Sequence, residues 1–186
     1  MADDALQFGR EILHDEARAL DALAERLDGS FEEAVKLILG CGGKLIVSGL
    51  GKSGHVARKI AATFASTGTT ATFLHLAEAI HGDLGMAAKG DVAILISQSG
   101  ETAELEPVID HFQRVGIAIV AITGNGGSML ADAAAAPLVL PHWPEVGPES
   151  VAPTTSTTMT LALGDALAMT VMRQKGFTRT DFGRLH

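Results

Sequence analysis

The hexapeptide Ser97-Gln98-Ser99-Gly100-Glu101-Thr102 directly follows the apolar run Val92–Ile96. A buried strand therefore ends in hydroxyls, a glycine and fresh backbone N–H groups, and a helix over Thr102–Arg114 is predicted to open there. Unpaired amides at a helix start, with the positive end of its dipole, suit an anion such as a phosphate ester. Ser97, Ser99 and Thr102 can each donate to a phosphate oxygen, and Gly100 lets the backbone come close. Glu101 is an unusual neighbour for an anion and is expected to point away or to serve a sugar hydroxyl.

A second loop of this kind is Gly49-Leu50-Gly51-Lys52-Ser53-Gly54-His55, between an apolar strand and a helix. Gly-x-Gly-x-x-Gly is formally present, but the second strand ends Phe73-Leu74-His75, without the acidic residue of a dinucleotide site. The spacing does not fit a Walker A loop either. One reading is a tight turn with a surface lysine. The other makes Gly51 and Ser53 phosphate ligands and aims Lys52 at a substrate oxygen.

Ionisable groups gather again in His75-Leu-Ala-Glu78-Ala-Ile-His81-Gly-Asp83. Two histidines six residues apart face different ways on a helix, so this is not a zinc helix. His81 is the candidate site residue, His75 is structural or rim-facing, and Asp83 orients an imidazole or caps a turn; a chance cluster is the alternative. Further on, Glu145-Val-Gly-Pro148-Glu149 precedes Ala152-Pro153-Thr154-Thr155-Ser156-Thr157-Thr158. Pro153 suits the first position of a helix, and N–H groups of that turn, with Thr155 and Ser156, are candidates to reach a ligand. Thr157 and Thr158 read as capping and packing residues. Glu145 and Glu149 are general-base candidates, set against a solvated acidic loop. His14, His111 and His142 read as surface residues, and Trp143 as an exposed anchor or a packing plug.

The elements that must position these groups follow from apolar patterning. Predicted strands are Leu45–Ser48, Thr70–Leu74, Val92–Ile96, Ile117–Thr123 and Leu138–Leu140. Between and after them come helices Gly54–Thr67, Thr102–Arg114, Ser128–Ala135 and Ala152–Lys175. The strands are continuously apolar, as strands buried on both faces are, so a parallel sheet covered by helices is expected. Ligands of such sheets lie beyond the carboxyl ends of the strands, at the switch in strand order. Gly49–His55, Ser97–Thr102 and Thr123–Ser128 all fall there. Ahead of the sheet, Ala5–Leu27 reads as a helix with Leu6, Leu13, Leu20 and Leu27 every seven residues, packing on its own domain or on a neighbouring subunit. Ser30 is predicted to cap a second helix reaching Leu39, with Cys41 near its end as a small buried residue.

Composition bounds the function. The 186 residues suit one domain, residues 1–186, with 1–41 as an N-terminal helical extension. A net charge of −8 without a basic stripe argues against a nucleic-acid partner. No apolar stretch reaches membrane-spanning length, and the acidic start is no signal peptide. Cys41 is the only cysteine, so a reducing, cytoplasmic location is expected.

Taken together, these segments resemble the sugar isomerase (SIS) domain family, and within it the arabinose-5-phosphate isomerase branch. The resemblance rests on Gly49–His55, Ala65–Thr69, His81–Met86, Ser97–Glu101, Val151–Thr158, Leu163–Ala168 and Gly176–Phe182, in order along the chain. It implies an α/β three-layer αβα sandwich around a five-stranded parallel sheet in flavodoxin-like order. It also implies a homotetramer with active sites near subunit interfaces, and a phosphosugar ligand; no cofactor is expected and no residue is assigned to a metal. The reaction implied interconverts D-ribulose 5-phosphate and D-arabinose 5-phosphate, feeding the acidic sugar of lipopolysaccharide. By resemblance Ser53, Ser97, Gln98, Ser99 and Thr102 hold phosphate, Lys52, Glu104, Glu145 and His186 are catalytic, and His81 lies in a matching motif. Three departures stand out. The paired CBS modules of long members are missing, Val146–Ser150 replaces Ala-Cys-Pro-Leu-Gly, and Gln98 replaces the branch's Asn.

The expected chemistry is an aldose–ketose isomerisation through a cis-enediolate. A carboxylate moves the proton between adjacent carbons: Glu145 first, Glu104 second, with partial burial raising the glutamate's pKa toward neutrality. Lys52 stabilises the oxyanion, and His81 or His186 shuttles protons during ring opening. The alternatives are a non-catalytic phosphosugar sensor and an isomerase of another phosphosugar.

Overall fold

The structure is a computed structural model that describes residues 2–185. Helices α1 (Ala2–Glu25) and α2 (Gly29–Leu39) lead into strand β1 (Leu45–Gly49). Helix α3 (Gly51–Ser66), strand β2 (Ala71–His75) and the short helix α4 (Leu76–Ala79) follow. After a 3₁₀ turn at Asp83–Met86 come β3 (Val92–Ile96), α5 (Leu105–Val115), β4 (Ala118–Thr123), α6 (Met129–Ala133) and β5 (Ala136–Val139). A second 3₁₀ turn (Pro148–Ser150), the long α7 (Thr155–Gln174) and α8 (Arg179–Leu185) complete the described chain.

All strand pairs are parallel, in the order β2-β1-β3-β4-β5. This is the flavodoxin-like order that the resemblance implies, with its switch point between β1 and β3. Alternate strand residues feed two cores. Leu45, Val47, Ile94, Ile96, Val120 and Ile122 pack with α2, α3 and α7 around the fully buried Phe64. Ile46, Ala93, Leu95, Ile119 and Ala121 pack with α4 to α6 around the equally buried Phe112. Truncating either phenylalanine to alanine removes on the order of 3–5 kcal/mol.

Local rules adjust several predicted boundaries. Asp28, not Ser30, caps α2: its Oδ1 accepts from the Ser30 amide at 2.8 Å. Helix α5 starts at Leu105 rather than Thr102, because Thr102 is tied into the preceding loop. Pro153 lies outside α7, whose N-cap is Thr154. Of the heptad leucines, Leu6, Leu13 and Leu27 are exposed and only Leu20 packs, half-buried, on the core; the residues that α1 buries against the domain are Ala19 and Leu23, off that stripe. Cys41 is half-buried and directs its thiol to the Gly90 carbonyl at 3.5 Å. His111 departs from its surface assignment, since its Nε2 is buried without a hydrogen-bond partner. Trp143 packs on the first core as a plug.

Two glycine contacts bring the site's walls together. A Cβ on Gly54 would lie 2.8 Å from the Gly49 carbonyl oxygen, so α3 rises directly off β1 only with glycine there. A Cβ on Gly164 would meet the Ile60 side chain at 2.3 Å, so this glycine lets α7 close on α3.

Candidate active site

The in-register pairings Gly49↔Ile96 and Ile96↔Ile122 bring the ends of β1, β3 and β4 level. The loops after them therefore share one rim. Two adjoining cavities open there and have Leu50, Ser53, Ile96 and Gln98 in common. One, of about 370 Å³, adds Ser97, Ser99 and Thr102. The other, of about 250 Å³, adds Lys52, Ile122, Glu145, Pro153, Ser156, Thr157 and Thr160.

The first cavity is lined by hydroxyls and lies beside a helix start without a side-chain cap. Helix α3 has no side-chain cap, and Leu50 at its N-cap position is extended, so the amides of its first turn face the rim unpaired by any side chain. Gly51 begins this helix at φ 57°, a left-handed conformation, with open space around its α-carbon. The hydroxyls opposite are held in place. Ser97 and Thr102 share a hydrogen bond of 2.8 Å, Ser97 Oγ accepts from the Gly100 amide at 3.2 Å, and Ser99 Oγ accepts from the Glu101 amide at 3.2 Å. Ser99 keeps its O–H to donate outward, as does one member of the Ser97–Thr102 pair. Gly100 has a different purpose from the one expected. It is buried at φ 69°, and a Cβ there would lie 2.0 Å from Ser128 Oγ, so it admits the neighbouring loop rather than a ligand. Gln98 lies against Gly124, where a Cβ would meet its side-chain nitrogen at 2.3 Å.

In the second cavity Glu145 is the central group. Its Oε2 accepts from the Thr154 amide (2.8 Å), the Ser156 amide (3.1 Å) and Thr154 Oγ1 (3.2 Å), and its Oε1 accepts from Ser156 Oγ. The amides at the start of α7 that were expected to reach a ligand are thus taken by this carboxylate. Burial pushes the Glu145 pKa up, but the hydrogen bonds from Ser156 and Thr154 outweigh it and hold the group below the usual 4.5. The expectation of a glutamate raised toward neutrality is corrected: four donors favour its charged form. Lys52, exposed on the first turn of α3, lines the same cavity.

The other candidates stand elsewhere. Glu104 is half-buried at the N-cap position of α5, and His81 is exposed just after α4; neither lines the two cavities. His186 lies outside the described residues. Thr155 is buried beneath the cavity, where its Oγ1 accepts from the Val146 amide at 3.2 Å. His75 is structural: its Nδ1 accepts from the Ala77 amide at 3.2 Å and caps α4. Glu149 sits exposed at φ 62° in the 3₁₀ turn. Sequence reasoning left out the apolar floor of Leu50, Ile96 and Ile122 and gave Thr157 only a packing role. The apolar strand ends were the available signal for that floor.

A flavodoxin-like parallel sheet thus carries a hydroxyl-lined cavity and a lysine–carboxylate cavity side by side at its switch point. The chain is a member of the SIS domain family, whose model matches residues 38–170. Among curated proteins it is similar to arabinose 5-phosphate isomerase KpsF of Escherichia coli O6:H1, at 49% identity over 178 residues, 95% of this chain and 54% of that protein. It is also similar to arabinose 5-phosphate isomerase GutQ of Salmonella typhi, at 48% identity over 186 residues, 100% of this chain and 58% of that protein. The chain thus spans about half the length of these relatives. A solved structure of E. coli CFT073 c3406 in complex with A5P matches with a TM-score of 0.95 at 40% identity, covering 100% of this chain and 99% of that one.

Proposed function

We propose that this chain is an aldose–ketose isomerase domain that interconverts D-ribulose 5-phosphate and D-arabinose 5-phosphate through a cis-enediolate. The observation that carries the reading is the adjacency of the two cavities. An uncapped helix start and three hydroxyls form an anion cradle, and one wall of that cradle continues into the space between Lys52 and Glu145. The relatives named arabinose 5-phosphate isomerase support the choice of sugar.

In this reading Ser53, Ser97, Gln98, Ser99 and Thr102, with the α3 amides beside Gly51, hold the phosphate and so fix the reacting carbons. Ser156 lines the sugar space directly, and Thr155 supports the loop beneath it. Glu145 is ionised at neutral pH and takes the proton next to the carbonyl, returning it to the neighbouring carbon. Its depressed pKa makes it a weak base, so the acidity of the C–H bond must be raised from the other side. Lys52 does this by stabilising the oxyanion, in a cavity whose apolar floor strengthens the charge interaction. A substrate that draws Ser156 Oγ away from Glu145 would strengthen the base at the moment it is needed. His81 and His186 are assigned to proton transfer in ring opening, and Glu104 stands as the second candidate base, each on the family resemblance alone. No cofactor or metal is assigned. The exposed Leu6 and Leu13 on α1 support packing on a neighbouring subunit, with the homotetramer itself assigned from the family resemblance, and the lone cysteine supports a cytoplasmic setting. The product would feed the acidic sugar of lipopolysaccharide.

The test is a coupled assay with ribulose 5-phosphate set against hexose 6-phosphates. Preferential turnover of the pentulose phosphate is expected. Binding of sugar phosphates without turnover would overturn the reading in favour of a sensor.

A further inference from the structure

The phosphate loop contains a carboxylate that the reaction does not use. Glu101 Oε1 accepts from the Met129 amide, the first of α6, at 2.8 Å. The next amide of α6, Leu130 N, donates to the Gly100 carbonyl at 3.2 Å. Ser128 caps the same helix through the Ala131 amide, its Oγ donates to the Asn125 carbonyl at 2.7 Å, and that Oγ fills the space above Gly100. On the other side of the loop, Thr123 Oγ1 and the Gly124 amide both donate to the Gln98 carbonyl, at 3.4 Å and 3.0 Å. The segment from Gln98 to Glu101 is thus tied to the β4–α6 connection at both ends. Of these hydrogen bonds, only that of Glu101 is made by a side chain of the loop reaching outward, while the Gln98 side chain packs on Gly124.

We propose that Glu101 is a positioning residue: it moors the anion-binding loop to the start of α6, and so holds Ser97, Ser99 and Thr102 in the arrangement that receives a phosphate. The inference rests on the reading of this rim as a phosphate site. It also explains how a carboxylate sits in an anion-binding loop, because its charge is turned toward the N-terminus of a helix and away from the cradle. Two mechanisms make opposite predictions for removing the side chain. If Glu101 acts on the ligand only through its charge, a dianion should bind more tightly without it. If it acts as a mooring, the dianion should bind more weakly.

The measurement is titration calorimetry with inorganic phosphate on the wild type, Glu101→Ala, Glu101→Gln, Met129→Pro and the double variant Glu101→Ala/Met129→Pro. Met129→Pro deletes the donor and not the acceptor. The position is the first of α6, where proline is tolerated, and Ser128 before it is already extended at ψ 159°. Loss of a cap of this kind corresponds to about fivefold in affinity. Glu101→Ala and Met129→Pro are each expected to weaken phosphate binding by about that factor, the double variant by no more than either, and Glu101→Gln, which keeps an acceptor, by much less. With sugar phosphate the loss should fall on KM more than on kcat. Amide exchange at Met129 should quicken in Glu101→Ala and not in Glu101→Gln, which reads the mooring without reference to any ligand. Tighter or unchanged phosphate binding in Glu101→Ala, or an additive double variant, overturns the proposal while leaving the phosphate site standing. A wild type that binds no phosphate removes the site itself and the proposal with it.

Discussion

Replacing Glu145 with glutamine separates the cap this carboxylate forms from the base it is proposed to be. As a cap it accepts the Thr154 and Ser156 amides through one oxygen, and the Ser156 hydroxyl through the other. Glutamine keeps one oxygen for the two amides and presents an NH₂ group where Ser156 Oγ can accept, so the start of α7 should stay closed. Losing the charge-assisted part of these bonds costs about 1 kcal/mol, and at about 2–4 °C per kcal/mol for a chain of this size the midpoint should fall by only a few degrees. Alanine removes every acceptor and strands the Thr154 and Ser156 amides and the Ser156 hydroxyl, at about 1–3 kcal/mol or more, while Thr154 Oγ1 keeps the Val146 and Ala152 carbonyls. As a base, by contrast, Glu145 has no substitute in the glutamine variant, and kcat should drop by about 10²–10⁴. Thermal unfolding and the coupled isomerase assay, run on the same preparations, distinguish the two. A glutamine variant that folds normally and keeps more than about a tenth of wild-type turnover would refute Glu145 as the base. The pKa direction adds a second readout. A carboxyl held below 4.5 stays ionised until the pH falls through its lowered value, so its contributions to rate and to stability are lost only on the acid side of that figure.

Lys52→Met should lower kcat by about 10²–10³ while inorganic phosphate still binds in calorimetry, because the α3 amides and the hydroxyls remain. Gly100→Ala should abolish phosphate binding and lower the urea midpoint, since φ 69° and contact with Ser128 both exclude a Cβ. Asp91, 5% exposed, accepts from Lys44 Nζ at 2.6 Å, the Lys44 amide at 2.9 Å and the Ala88 amide at 2.9 Å; because Lys44 is partly exposed and water can replace its partner, Asp91→Ala should cost about 1–3 kcal/mol in urea unfolding. Burial pushes the Asp91 pKa up, but these bonds outweigh it and lower the pKa. Its stabilisation should therefore be complete above the ordinary 3.8 and fade as the pH falls through the folded value, in unfolding followed against pH.

The sheet was legible because its strands are uninterrupted apolar runs flanked by glycine and charge. Val92–Ile96 falls at the predicted residues, and the others shift by a residue or two at their ends. The rim was legible for a related reason. In a parallel sheet every loop that follows a strand arrives at the same edge, so three loaded segments had to meet. What escaped depends on partners distant in sequence. Nothing local in Glu145 announces that its oxygens will close the start of α7, and the same carboxylate free in solution would have an ordinary pKa. The mooring of Glu101 spans 28 residues, and a capping contact of that reach has no periodic signature. Asp28 displaced Ser30 as a cap because both are good capping residues and α2 begins at Gly29, one residue after Asp28 and one before Ser30. Helix α4 is a single turn set by the His75 cap, below the length at which apolar periodicity can be read.

The central claim is that a sugar phosphate is gripped between the start of α3 and the Ser97–Thr102 loop, with its carbonyl carbons directed at Lys52 and Glu145. A crystal structure of the Glu145→Gln variant with D-arabinose 5-phosphate tests it most directly. The account predicts phosphate oxygens within hydrogen-bond distance of Ser53, Ser97, Ser99 and Thr102, and C1 and C2 beside residue 145. A phosphate found at any other place on the molecule, or a sugar with its carbonyl end pointing out to solvent, would contradict it.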